Sequence, residues 1–138
     1  MVEDVLSTYT MNLISEDDVL LVRRRVREIA EGRKFDTFAI AAITTATSEL
    51  ARNVVVHAKG GSAKIEEISD GHRSGIRIAF VDQGPGITDI SRVLQGGYST
   101  ARSMGLGVSG SKRLVDQFDL ESQVGSGTRV TVTKWKRF

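Results

Sequence analysis

The chain predicts an α+β fold with helices layered against a sheet, and three observations carry that prediction. Val19, Val22, Val26 and Ile29 recur at helical spacing, as do Ile40, Ile43, Leu50 and Val54. Ile76, Ile78 and Phe80 share a face by the two-residue period of a strand, as do Thr128, Val130 and Val132. Polar or glycine-bearing turns separate these stretches in the order strand, helix, helix, strand, strand, helix, strand, strand.

Each element has a local reason. Tyr9-Thr10-Met11-Asn12-Leu13-Ile14 is rich in strand formers and predicts an edge strand. Ser15 then caps a helix whose first turn, Glu16-Asp17-Asp18, places acids at the positive end. Its arginines, Arg23-Arg24-Arg25, fall away from the valine stripe, and Gly32 marks its end. Asp36 caps a second helix that stops at Gly60-Gly61. Two strands follow at about residues 63–68 and 76–81, joined by the polar turn 70–75. Gly105-Leu106-Gly107-Val108 opens a third helix, with Val108, Leu114 and Val115 on its apolar side. Residues 95–104 have no apolar period and predict a mobile lid. Strands at 118–124 and 128–135 flank the turn Gly125-Ser126-Gly127.

Composition bounds the function. The 138 residues fit a single domain, 1–138, able to bury roughly two-thirds of its unfolded surface. With 40% hydrophobic and 26% charged residues the chain resembles an ordinary globular protein. It has no cysteine, which excludes disulfides, thiolate zinc sites and cysteine nucleophiles, and two histidines cannot alone build a histidine-rich metal site. No apolar run approaches a membrane span, and the acidic Met1-Val2-Glu3-Asp4 start is unlike a signal peptide, so the cytoplasm is expected and no membrane partner. A net charge of +2 and two short basic clusters, Arg23-Arg24-Arg25 and Lys134-Trp135-Lys136-Arg137, come without a groove-entering motif; no nucleic-acid partner is expected.

The stretch Ser48-Glu49-Leu50-Ala51-Arg52-Asn53 organises the rest. Glu49 and Asn53 stand four apart and share one helical face, which also carries Ala46 and His57. A carboxylate beside a carboxamide on a mostly buried face costs desolvation unless something polar docks there. Asp82 continues the face of Ile76, Ile78 and Phe80 and so points into the layer between sheet and helices. Thr128 has the parity of Val130 and Val132, which sends its hydroxyl to the same layer. Nine of the fourteen glycines lie between positions 84 and 127, a density that marks floppy loop or backbone brought close to a ligand. The hypothesis is a nucleotide, with Mg²⁺ held by Asn53 and Glu49 acting as a base.

Glu49-x-x-x-Asn53, Asp82-x-Gly84-x-Gly86, Gly105-x-Gly107 and Gly127-Thr128 occur in the order found in the GHKL ATPase family, over about residues 10–135. Within it the chain most resembles the small bacterial serine/threonine switch-protein kinases of the anti-sigma and stressosome type, through residues 48–53, Gly97-Tyr98-Ser99-Thr100 and Lys112-Arg113-Leu114. The resemblance implies a two-layer sandwich with a mixed, largely antiparallel sheet, helices on one face and no P-loop. It implies ATP and Mg²⁺ as cofactors. Asp82 would accept from the exocyclic amine of adenine, supported by Thr128, and Asn53 would give Mg²⁺ its one protein oxygen. Gly84, Gly86, Ile87, Gly105, Leu106, Gly107 and Val108 would border the nucleotide, and Ser99 and Thr100 would touch phosphate. Glu49 would orient or deprotonate the attacking hydroxyl.

Three functional classes follow: a kinase for a small STAS-domain regulator that then activates a phosphatase or similar effector, a kinase that also sequesters a sigma factor, and a nucleotide-gated binding module. The 48 residues before Glu49 leave no room for a histidine-kinase dimerisation pair, and gyrase- or chaperone-like roles would need further domains. An intact Glu49 favours catalysis over pure binding. A homodimer is left open.

Overall fold

The computed structural model describes residues 3–58, 60–84 and 102–137, side chains of 102–107 excepted. The chain runs β1 (Asp4–Leu13), α1 (Glu16–Gly32), α2 (Thr37–His57), β2 (Gly61–Ser69), β3 (Ser74–Asp82), α3 (Arg102–Leu114), β4 (Gln117–Gln123) and β5 (Gly127–Trp135). The strands form one sheet in the order β1-β2-β3-β5-β4. All four pairings among them are antiparallel, so among the described residues the sheet is wholly antiparallel and not mixed as the resemblance implies. The expected two-layer α+β sandwich is present, with β1 at one edge as the sequence suggests.

One face of the sheet makes the core. Leu13, Ala63, Ile65, Ile76, Ile78, Phe80, Val130 and Val132 meet Val19, Val22, Val26 and Ile29 of α1 and Ile43, Leu50 and Val54 of α2. The helix α2 packs against α1, α3 and the sheet. Contact on three sides explains its small side chains: Ala46 and Ala51 are fully buried where neighbouring backbones come close. Thr44 and Thr47 are buried too, and their hydroxyls donate back to the carbonyls of Ile40 and Ile43 at 2.7 Å.

Local chemistry sets the element ends. Ser15 stands at the N-cap of α1, and the Asp18 carboxylate accepts from the backbone N–H of Ile14 (2.9 Å) and Ser15 (3.1 Å). Those bonds hold the Asp18 carboxyl below its usual range. Asp36 accepts from Ala39 N–H at 2.8 Å and starts α2 as expected. Between β2 and β3 the turn is tighter than its composition suggests. Asp70 Oδ1 accepts from Arg73 N–H (2.7 Å) and His72 N–H (2.9 Å), which closes it within residues 70–73.

The opposite face of the sheet carries a second, smaller apolar cover. Trp135 is only 4% exposed and lies over Gly75, with the Arg73 guanidinium 4.4 Å from its ring centre. Asp116 accepts from Trp135 N–H at 2.7 Å and from Arg137 at 3.0 Å. The basic cluster at 134–137 is therefore tied into the sheet.

A Cβ added at Gly75 would sit 2.7 Å from Trp135 Cε3 and 3.1 Å from Ile68 Cγ1. Gly75→Ala should displace the ring and destabilise the fold by about 1–3 kcal/mol, as overpacking does. Trp135 is the one tryptophan, so its emission should shift to the red as denaturation moves to lower urea. Unchanged emission and midpoint would show that the ring does not depend on a bare Gly75.

Candidate functional site

A single row of residues crosses the sheet at the end nearest the pocket. Leu13 pairs with Gly61, Gly61 with Asp82, Asp82 with Thr128, and Thr128 with Ser122. The period-two alternation puts Asp82, Thr128 and Ser122 on the core face, in line with Phe80, Val130 and Leu120. Asp82 is held there by backbone: its Oδ1 accepts from Gly84 N–H at 2.8 Å and from Thr128 N–H at 3.2 Å. The Thr128 hydroxyl lies 3.0 Å from Ser122 Oγ.

Two glycines allow this clasp. At Gly127 φ is +108°, and a Cβ there would come within 2.1 Å of the Asp82 carbonyl oxygen. At Gly84 a Cβ would meet Ala58 Cβ at 2.8 Å and Asp82 Oδ1 at 3.1 Å, so only a bare backbone can fold back to donate to the carboxylate.

Asp82 and Thr128 line a small pocket with Leu50, Asn53 and Val54 of α2, Val108 of α3, and Phe80 and Val130 of the sheet. The pocket is apolar with a few convergent polar groups, the usual make-up of a ligand site. Asn53 carries a second signal: its Nδ2 is buried and has no hydrogen-bond partner among the described residues. An unpaired buried amide costs about 1–3 kcal/mol and suits a site whose ligand supplies an acceptor. Its carboxamide offers one neutral oxygen, which fits a Mg²⁺ ion that takes its other ligands from phosphate and water. The residues present therefore fit a metal-bound nucleotide.

Glu49 stands one turn before Asn53 on α2, and its setting differs from the desolvated one its spacing suggests. Its side chain is 46% exposed, and its Oε1 lies 3.7 Å from Arg52 Nη1. The carboxylate is therefore hydrated and reachable from outside.

Among the residues singled out from sequence, Asn53, Asp82, Val108 and Thr128 meet in the pocket, with Gly84 beside it. Gly86, Ile87, Ser99 and Thr100 lie outside the described residues, as does most of the expected lid, residues 95–101. Gly105, Leu106 and Gly107 do not open a helix. α3 starts at Arg102, so they lie within it, and the last three residues of the expected lid, 102–104, form its first turn. Sequence reasoning missed Ser122 and the apolar walls Phe80 and Val130 as site residues. The alternation of Phe118, Leu120 and Ser122 in β4 was the available signal for Ser122.

Comparison with known proteins agrees with this geometry. Residues 39–137 match the family described as histidine kinase-, DNA gyrase B- and HSP90-like ATPase. The chain is 42% identical over 127 residues to the serine/threonine-protein kinase RsbT of Bacillus subtilis, covering 92% of this chain and 96% of that one. It is 33% identical over 102 residues to the anti-sigma F factor of a Thermoanaerobacter species, covering 70% of each. The crystal structure of the RsbU and RsbW domains of Rv1364c from Mycobacterium tuberculosis superposes with a TM-score of 0.64 at 21% identity, over 96% of this chain and 33% of that longer one. The SiaB–SiaC complex from Pseudomonas aeruginosa shares the fold with a TM-score of 0.55 at 10% identity, over 95% of this chain and 90% of that one. With a glycine-clasped aspartate lining one pocket with an asparagine whose amide nitrogen is buried, and with matches that span most of its length, the chain belongs to the histidine kinase-, DNA gyrase B- and HSP90-like (GHKL) ATPase family.

Proposed function

We propose that this protein is an ATP- and Mg²⁺-dependent serine/threonine protein kinase of a cytoplasmic partner-switching pathway. It phosphorylates a small STAS-domain regulator and, once released, engages a phosphatase or similar effector. One arrangement carries this reading. Glu49 and Asn53 share a face of α2, a hydrated carboxylate one turn from a buried amide, in a chain 42% identical to a serine/threonine kinase.

The geometry supports roles for Asp82, Asn53 and Glu49, and the family resemblance supplies the others. Asp82 Oδ1 is taken by two backbone N–H groups, so Oδ2 is left to accept from the exocyclic amine of adenine. Asn53 would hold Mg²⁺ with its oxygen, and the ion would supply charge to neutralise the phosphates. By the family resemblance, Gly84, Gly86, Gly105 and Gly107 would keep side-chain bulk from the nucleotide, Ile87, Leu106 and Val108 would border it, and Ser99 and Thr100 would meet phosphate. The γ-phosphoryl group passes to the serine or threonine oxygen of the partner, ADP leaves, and Glu49 takes the hydroxyl proton. Its exposure suits that task, because the attacking hydroxyl arrives on another protein.

A second reading keeps the kinase and adds capture of a sigma factor. The 33% identity to anti-sigma F factors favours it.

Asp82→Asn tests the base pocket. The amide oxygen would keep the two backbone N–H bonds, which turns Nδ2 toward the adenine amine, donor against donor. Calorimetry should show ATP affinity lowered by 10-fold or more, roughly the cost of a lost charged hydrogen bond, with the circular dichroism of the parent. A variant that binds ATP as tightly as the parent would contradict the assignment.

Glu49→Gln separates chemistry from binding. It keeps shape and removes the proton acceptor, so ATP affinity should persist while phosphoryl transfer falls by roughly 10²–10⁴-fold. Equal transfer rates would make Glu49 a surface residue.

The partner reading is tested by mixing the protein, Mg-ATP and purified STAS-domain regulators. Phosphate should map to serine or threonine by mass spectrometry, and the complex should dissociate on gel filtration, since about two added negative charges disrupt a hydrogen-bonded interface. Phosphate on histidine alone, or a complex indifferent to phosphorylation, would overturn it. A stable complex with a sigma factor instead would favour the second reading.

A further inference from the structure

We propose that Arg52 is a positioning residue that holds Glu49 off the nucleotide until a partner docks, and so makes the site favour a partner's hydroxyl over water as acceptor. The inference rests on the kinase reading and concerns its base. Glu49 has two neighbours one turn on along α2, and they lie on opposite sides of it. At 3.6 residues per turn Arg52, three residues on, is offset by about 60° to one side, and Asn53, four residues on, by about 40° to the other. The carboxylate leans toward Arg52: Glu49 Oε1 is 3.7 Å from Arg52 Nη1. Asn53 tells the same from the other side. Its Nδ2 has no hydrogen-bond partner among the described residues, although a carboxylate four residues earlier on a helix is a natural acceptor.

Arg52 is itself held from the other helix. Its Nε lies 3.8 Å from Glu16 Oε2 in the first turn of α1, so the guanidinium sits between carboxylates on two elements. Neither distance is that of a hydrogen bond, and an exposed charge contact of this kind adds little to stability. It is enough to bias where a half-exposed side chain rests, and weak enough for a docking protein to displace. Without it Glu49 would swing toward Asn53 and the phosphates, where water is always at hand. A water oxygen would then attack the γ-phosphorus, the bond to the bridging oxygen would break, and ADP would leave. Glu49 would take the proton of the water, and ATP would be consumed with no acceptor present. A partner seated over α2 releases Glu49 from Arg52 as it brings its own hydroxyl into the place of that water.

The test follows phosphate release from saturating Mg-ATP with no partner present. In Arg52→Ala release should rise by about three- to tenfold, the population shift an exposed ion pair supports, with the ATP affinity of the parent. Adding Glu49→Gln should remove the rise, which would place the effect in Glu49. Arg52→Lys keeps a cation and should stay near the parent. A second measurement needs no variant to fold: salt screens exposed charges, so release by the parent should climb with added sodium chloride, and that of Arg52→Ala should stay flat. Release unchanged or lowered in Arg52→Ala, or a rise that survives Glu49→Gln, would overturn the proposal. A parent that does not bind Mg-ATP in calorimetry would overturn the nucleotide reading itself. A parent that binds it and phosphorylates a STAS-domain regulator, with parental release in the Arg52 variants, overturns only the role of Arg52.

Discussion

The site depends on one carboxylate held by backbone. Asp82 sits on the core-facing side of a strand, where a charge is costly unless its oxygens are satisfied. Two N–H groups from different segments, Gly84 just after β3 and Thr128 on β5, converge on the same oxygen. This couples the end of β3 to the start of β5 and leaves the second oxygen available. The clasp works only because Gly84 and Gly127 have no side chain: a Cβ at either would collide with the residues that make it. Recognition chemistry and backbone geometry are the same constraint here.

That constraint explains which parts of the site were legible in the sequence. Strand parity alone sent Asp82 and Thr128 inward, and helical spacing alone put Glu49 and Asn53 on one face, because the periods of strands and helices are properties of backbone geometry. Parity could not supply the register between strands. Thr128 faces Asp82 on one side and Ser122 on the other only because of the pairing of β3, β5 and β4. For that reason Ser122 read as one more polar residue in a half-buried strand.

The other misreadings have equally local causes. Gly105 and Gly107 suggested a helix start, since each glycine costs a helix interior about 1 kcal/mol. The helix nevertheless runs through them from Arg102, with Val108 buried in the pocket wall, and tertiary contact outweighs propensity where an apolar face is covered. Lys134-Trp135-Lys136-Arg137 showed in the sequence only as a short basic cluster. Asp116 and Arg73, both distant in sequence, gather that segment onto the outer face of the sheet. Glu49 erred in the other direction. Its burial was inferred from its neighbours, but the exposed stripe of α2, through Ala41, Thr45, Arg52 and Val56, passes beside it.

That exposure gives α2 its place in the proposed chemistry. Four residues advance a helix by about 6 Å, so Glu49 and Asn53 are close neighbours in very different surroundings. Asn53 has its amide nitrogen sealed in the pocket, while Glu49 is close to half exposed. A nucleotide must be held where water is excluded, since hydrogen bonds to base and phosphate gain from a low dielectric. A protein acceptor must approach from bulk solvent. A helix covered on three sides and open along the fourth serves both needs with one rigid body. The apolar residues that bury α2 thereby also fix the separation between the group proposed to hold the nucleotide and the group proposed to meet the incoming hydroxyl, and phosphoryl transfer depends on such a separation more than on any strong acid or base.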